Sequence, residues 1–390
     1  MADAAGSVDP MPVPFPTIDE VDLGPVGEAE TSRLAAGVLS ATRPQSGNTE
    51  FQRLLIEAIF EAMTGYRVDA ASLPAVDART YAQNLRYRDE EKRTRMVHMM
   101  VLSALVLRPI PPEVSTQVAE YSRELGIDDS LLRTIEQFAS GDLAMAAADF
   151  ERNGYTAAWS SERSSSLHTS TDVEGWAADE DDPTLAARWA GLGELPAGTL
   201  GRAVFDFYQA RGFSFPGTPG SAPPLLAQHD WVHVLAGYGT KVEAELEVFA
   251  LIARANDDPR GWSLLAMVVS LFETGYLVEG AGLFEAFPGQ LSVDGMTVRI
   301  GDAMRRGALS HGDDGAPDVD FMQVDWFSYA AQPLEQVVER FGLPPKSERA
   351  IAAGSVTSWE PGGISEAQLA AGQKAASARG VPYESHGASV

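Results

Sequence analysis

The chain has 390 residues and a formal net charge of −26, from 29 Lys+Arg against 55 Asp+Glu. That balance argues against a general nucleic-acid binder and against docking on an anionic membrane through basic residues, since both need clustered cations. There is no Cys, so disulfides, thiolate zinc sites, iron–sulfur clusters and Cys nucleophiles are excluded, and any metal must be held by His, Asp or Glu.

The hydrophobic fraction of 45% suits a globular protein, and the length predicts two domains. Residues 1–47 carry Pro10, Pro12, Pro14, Pro16 and Pro25 among acidic and small residues, which predicts a disordered tail. The acidic start has no basic region of the secretory type, so a cytoplasmic protein is expected. The longest nearly apolar runs, Met99–Leu107 and Trp262–Phe272, fall short of the ~20 residues needed to cross a bilayer. Lys occurs only at positions 92, 241, 346 and 374, and the Arg bias suits a GC-rich bacterial coding sequence.

Residues 48–159 read as a helical bundle. Phe51, Leu54, Leu55, Ala58, Ile59, Ala62 and Met63 follow helical spacing behind a predicted Asn48 cap. Met96–Leu107 is apolar on nearly every side and predicts a central buried helix, with His98 as a core histidine. Pro111-Pro112 opens a third helix through Val114, Val118, Tyr121 and Leu125, which Gly126 closes. Asp128 caps a fourth, with Leu131, Leu132, Ile135 and Phe138 inside.

Residues 160–183 are Ser-rich, then acidic, and predict a linker or long loop. Helical spacing returns at Leu200, Ala203, Val204, Phe207 and Tyr208 and continues through 242–253, 262–272, 296–304 and 334–341. Asp294-Gly295 permits a hairpin turn, but Met296, Ile300, Ala303 and Met304 share one helical face. Residues 346–390 are rich in Ala, Gly and Ser and predict a flexible tail. The expected fold is all-α, with two helical domains at 48–159 and 184–345.

The chemistry signal is Gln228-His229-Asp230-Trp231-Val232-His233. Two histidines four apart place both imidazoles on one helix face, where they can chelate one divalent ion. Asp230 can add an oxygen ligand or orient a histidine. Glu245 lies twelve residues beyond His233; on one unbroken helix that is about 120° off the His face and ~18 Å along the axis. The Gly237-Tyr238-Gly239-Thr240 break must therefore fold the chain back for a carboxylate of the second helix to face the His pair. Glu243 and Glu247 point largely away from Glu245, which predicts solvated charges.

His229-Asp230-x-x-His233, eleven residues, then Glu245 resembles the H-D-x-x-H-x11-E metal motif of the ubiquinone (coenzyme Q) biosynthesis protein four family. Leu195-Pro196-Ala197-Gly198-Thr199-Leu200-Gly201 is similar to the Leu-Pro-x-Gly-Thr-x-Gly segment just upstream of that motif. Val324-Asp325-Trp326 and Pro333-Leu334-Glu335 through Gly342-Leu343 resemble its C-terminal end, and the resemblance spans about 184–345. It implies an all-helical fold and a divalent metal, usually zinc, held by His229, Asp230, His233 and Glu245. It also implies an apolar cavity for prenylated quinone precursors, removal of the ring carboxylate with hydroxylation of that carbon, and other biosynthetic enzymes as partners. In this chain Pro223-Pro224-Leu225-Leu226-Ala227-Gln228 stands where the family often has charged residues. The 48–159 bundle falls outside the resemblance and is faintly similar to a TerB-like tellurite-resistance domain.

Two metal states are open. Four protein ligands would close a zinc site and make it structural. With Asp230 outside the ligand set, His229, His233 and Glu245 leave a position for water or substrate, and two His with one carboxylate is also an iron triad. The expected function is metal-dependent action on a hydrophobic quinone-like or aromatic precursor, the alternative a non-catalytic quinone- or lipid-binding scaffold. No nucleic acid and no membrane span are expected, with peripheral membrane contact left open. Gly193, Gly198 and Gly201 lack the strand and GK[ST] of a phosphate loop. Asp313, Asp314, Asp318 and Asp320 lack the EF-hand Gly and Glu positions.

Overall fold

The computed structural model describes residues 26–107, 110–128, 181–219, 226–256 and 293–390, together with 132, 221–222, 224, 265 and 268. Among the described residues there are thirteen α-helices and no strand, and backbone pairing is limited to isolated bridges of Thr199 with Pro333 and Pro361 with Ser389. The fold is all-α. None of the described helices is long and apolar enough to cross a membrane.

The N-terminal helices are α1 (Glu28–Ala41), α2 (Glu50–Thr64), α3 (Ala78–Leu85), α4 (Glu90–Leu105) and α5 (Pro112–Leu125). In α4, the Asp89 carboxylate accepts from the Lys92 amide at 2.8 Å, and Met96, Val97, Met99, Met100 and Leu102 are all fully buried. A helix apolar on every side must be covered on every side, and α1, α2 and α5 pack around α4. Pro112 and Gly126, the latter left-handed at φ 71°, bound α5 as expected. His98 is buried in α4.

Two expectations change here. The cap of α2 is Thr49, one residue past Asn48. Its hydroxyl accepts from the Gln52 amide at 3.1 Å while the Gln52 side chain accepts from the Thr49 amide at 3.0 Å. Thr three before Gln allows this reciprocal box, which an Asn at 48 cannot form. The predicted tail 1–47 ends in an ordered helix: Leu34, Ala35, Val38 and Leu39 of α1 are buried, and Tyr81 donates to the Leu34 carbonyl at 3.2 Å. Residues 1–25 lie outside the described residues, as do the predicted fourth helix apart from Leu132 and the 160–180 part of the linker.

The remaining helices are α6 (Pro183–Ala190), α7 (Leu200–Arg211), α8 (Gln228–Ala236), α9 (Val242–Ala255), α10 (Met296–Leu309), α11 (Leu334–Arg340), α12 (Glu348–Ala352) and α13 (Glu366–Arg379). Helix α10 follows left-handed Gly295 and packs along α9; its other neighbours include α2. One continuous apolar cluster joins Leu55 and Phe60 to Val248, Met304 and Phe341, so the N- and C-terminal helices share a core. Of the predicted 262–272 helix only Leu265 and Val268 are described, both buried.

The expected flexible tail 346–390 is ordered. A second capping box, Ser365 with Gln368, starts α13, which packs on α7. Ile364 and Ala376 are buried there, and the Val356, Ser358 and Gly363 carbonyls accept hydrogen bonds from Gly239, Arg211 and Thr240. Small residues are what such close packing requires: a Cβ on Gly372 would stand 2.2 Å from the Ala210 carbonyl oxygen.

Candidate metal centre

Helix α7 is set by the Leu195–Gly201 segment. The Thr199 side chain caps it by accepting from the Arg202 amide at 3.4 Å, and the Gly201 amide donates to the Ala330 carbonyl at 2.8 Å. A Cβ on Gly201 would lie 3.0 Å from that oxygen, which explains Gly by close approach and not by phosphate binding. Held this way, α7 carries Phe207, Tyr208 and Arg211, all buried.

Helix α8 carries His229 and His233 one turn apart, and its nine residues are all buried. It ends at left-handed Gly237 (φ 69°), where the Tyr238 amide returns to the His233 carbonyl at 2.9 Å. The chain then reverses beneath the C-terminal segment: the Gly239 amide donates to the Val356 carbonyl and the Thr240 amide to the Gly363 carbonyl, each at 3.1 Å. Helix α9 starts at Val242, so Glu245 sits in its first turn, where the helix dipole favours a carboxylate.

The fold-back brings Glu245 Oε2 to 3.2 Å from His233 Nε2 and 3.4 Å from His229 Nε2. Ligand atoms placed ~2.0–2.2 Å from one ion at tetrahedral angles stand about 3.3 Å apart. The spacing therefore fits a shared ion. His229 Nδ1 hydrogen-bonds the Leu226 carbonyl, which fixes a proton on Nδ1 and turns Nε2, the nitrogen that would bind an ion, toward Glu245. Glu245 Oε1 and His233 Nδ1 are buried with no hydrogen-bond partner. A buried carboxylate oxygen left unbonded is costly, and a bidentate ion would satisfy it. The buried His229, His233 and Glu245 group could hold a metal ion.

Asp230 does not join the converging trio. Its Oδ1 lies 3.6 Å from His229 Nε2, while Oδ2 accepts a hydrogen bond from the Tyr208 hydroxyl at 2.5 Å. Burial and the Asp230 charge push the Tyr208 hydroxyl well above its usual range, so it stays a donor. Burial also raises Asp230 despite the opposing histidines. Burial disfavours a protonated His229, but the Asp230 and Glu245 carboxylates outweigh it and raise this imidazole to about 9. Burial would raise Glu245 as well, yet His233 and His229 dominate and hold it at about 2.

Aromatic rings wall the group. Phe207 lies 5.7 Å from the His233 ring at 30°, and Phe249 lies 5.0 Å from His229 at 33°. All four side chains are buried, with exposures of 7% and 8% at His229 and Asp230 and 0% and 2% at His233 and Glu245.

Of the flanking glutamates, Glu243 is half-buried, but Glu247 corrects the expectation of a solvated charge. It is fully buried and binds Arg299 of α10 at 2.6 Å. The α9–α10 contact covers the face on which Glu247 lies, and Arg299 lies fifty-two residues away, beyond the reach of spacing arguments. Spacing does not reveal Arg211 and Thr240 as site residues, because their partners are distant in sequence. No family model matches this chain, and neither any curated protein nor any solved structure matches it.

Proposed function

We propose that His229, His233 and Glu245 form a divalent-metal centre, zinc being the first candidate, in a protein that acts on a hydrophobic quinone-like or aromatic precursor. The observation that carries this reading is the convergence of two Nε2 atoms and one Oε2 at the spacing of a shared ion, inside an aromatic wall. The donor set of two imidazoles and one carboxylate suits zinc or iron. The resemblance of residues 184–345 to the coenzyme Q biosynthesis protein four family points to decarboxylation of the precursor ring.

When bound, the ion supplies Lewis acidity toward a substrate carboxylate or phenolate. The chain's own groups do the remainder. Leu226 orients His229, the Tyr208 hydroxyl holds Asp230 beside His229, and Phe207 and Phe249 exclude water around the polar group. In a decarboxylation the bond from ring carbon to carboxylate breaks, CO₂ leaves, and the ring carbon takes a proton. Asp230, which accepts from the Tyr208 hydroxyl and lies beside His229, is the carboxyl group to which this reading gives the transfer of that proton. Incubation of metal-loaded protein with a prenylated 4-hydroxybenzoate tests this: CO₂ release lost in Asp230→Asn supports it, and no turnover by the loaded wild type rejects it.

A second reading rests on the burial of His233 and Glu245. An ion that cross-links α8 to α9 is a structural staple, and the protein is then a binding scaffold for quinone-like molecules and partner enzymes. A His233→Ala protein that folds but loses turnover favours the enzyme; one that unfolds favours the staple.

A further inference from the structure

The two histidines of the proposed centre are held by different means. His229 has the hydrogen bond that normally fixes a metal-binding imidazole, from Nδ1 to the Leu226 carbonyl. His233 has none: its Nδ1 is buried and without a hydrogen-bond partner. Apart from the 3.2 Å contact of its Nε2 with Glu245 Oε2, its orientation comes from packing, and the rings against it are Phe207, at 5.7 Å and 30°, and His229, at 5.2 Å and 63°.

Phe207 is in turn fixed by a buried cation. The Arg211 guanidinium stands 4.1 Å from the Phe207 ring centre and 5.6 Å from that of Trp359, and Trp359 meets Phe207 edge-on at 6.5 Å. Arg211 is fully buried, yet every partner it has is neutral. Nε donates to Thr240 Oγ1 at 2.8 Å, Nη1 to the Phe207 carbonyl at 3.4 Å, and Nη2 to the Ser358 and Gly363 carbonyls at 2.9 Å each. Thr240 donates to Gln368 Oε1 at 2.5 Å, and Gln368 returns a bond to the Thr240 carbonyl at 3.1 Å. A buried charge without a carboxylate partner is expensive. What the charge does here is face an aromatic ring in a dry site, where cation–π attraction is strongest.

We infer that Arg211 is a positioning residue for His233, acting through Phe207, and that the segment from Ser358 to Gln368 sets this metal ligand by clamping Arg211. The inference rests on the metal-centre reading above. It gives the C-terminal segment a role: the loop that reverses between α8 and α9 and the guanidinium that orients His233 are both held by it and share the Gly363 carbonyl.

The test uses the full-length protein and the variants Arg211→Met, Arg211→Lys and Trp359→Leu. Trp359 is only half-buried, so its variant carries the test if Arg211→Met fails to fold. Imidazole resonances are recorded in the metal-free protein, and Co²⁺ binding is followed by its visible ligand-field spectrum. The expected result is a shifted or broadened His233 resonance with that of His229 unchanged. Co²⁺ affinity falls roughly 10-fold or more, as loss of an orienting partner does, the spectrum changes shape, and Arg211→Lys recovers part of both. Folded Arg211→Met and Trp359→Leu proteins with an unmoved His233 signal and an unaltered Co²⁺ spectrum overturn the inference. A wild type that takes up no Co²⁺ while His233 still responds removes the metal reading and leaves the coupling standing.

Discussion

Glu245 Oε2 lies 3.2 Å from His233 Nε2, although the two residues sit on different helices, twelve positions apart. The reversal that joins them depends on Gly237 in the left-handed region and on Gly239, whose missing Cβ would stand 2.9 Å from Gly363 Cα. The site is thus a product of the turn as much as of the ligands.

Glu245→Gln removes the charged oxygen on which both imidazoles converge. Metal affinity is expected to fall roughly 10-fold or more, measured by competition with a chromogenic chelator, while Glu243→Gln changes it little. Equal loss at both positions points to a diffuse acidic patch and no defined ligand.

Glu247→Gln separates stability from metal binding. It strips the buried Arg299 of its carboxylate, and breaking a buried pair costs about 3–5 kcal/mol. Denaturant unfolding should show that loss with metal affinity close to wild type. A stable Glu247→Gln protein with weak metal binding reverses the roles given to Glu245 and Glu247.

Much of this was legible in the chain. His229 and His233 declare a shared face by spacing alone, and the Gly237–Thr240 break announces that Glu245 is on another helix. Left-handed Gly126 was readable because caps are local. Arg211 was not, since two of its acceptors lie 147 and 152 residues away and are backbone carbonyls, which carry no side-chain signature. Residues 346–390 looked like a tail because Ala and Gly bury little area each, yet their smallness is what lets the segment lie against α7. Helix α1 was hidden by the prolines before it, and Glu247 by the assumption that a charge run faces water.

Gly239→Ala tests the turn. The added methyl meets the Gly363 backbone, which cannot move as a side-chain tip can. Overpacking of this kind costs typically ~1–3 kcal/mol, and metal affinity should fall with it. Unchanged thermal unfolding shows that the turn and the C-terminal segment have room that the close approach denies.

The pH dependence has a definite sign. In the metal-free protein His229 is raised to about 9, above its unfolded value of ~6.5. Its contribution to stability is therefore full below pH ~6.5 and lost as pH rises through about 9. Glu245, held at about 2, stays ionised across that window. Metal must displace the His229 proton, so affinity rises about tenfold per pH unit from ~6.5 toward 9 and then levels. Calorimetry in buffers of different ionisation enthalpy should count one proton released near pH 7.5; zero protons contradicts the assignment of His229 as a ligand.

The most direct measurement is elemental analysis of the native protein beside its His229→Ala/His233→Ala double variant, each purified without added metal or chelator. A metal centre at His229, His233 and Glu245 predicts about one divalent ion per chain in the native protein and none in a double variant that remains helical. A native protein that is repeatedly metal-free and takes up no Zn²⁺, Fe²⁺ or Co²⁺ on dialysis, or a double variant that keeps its ion, contradicts it.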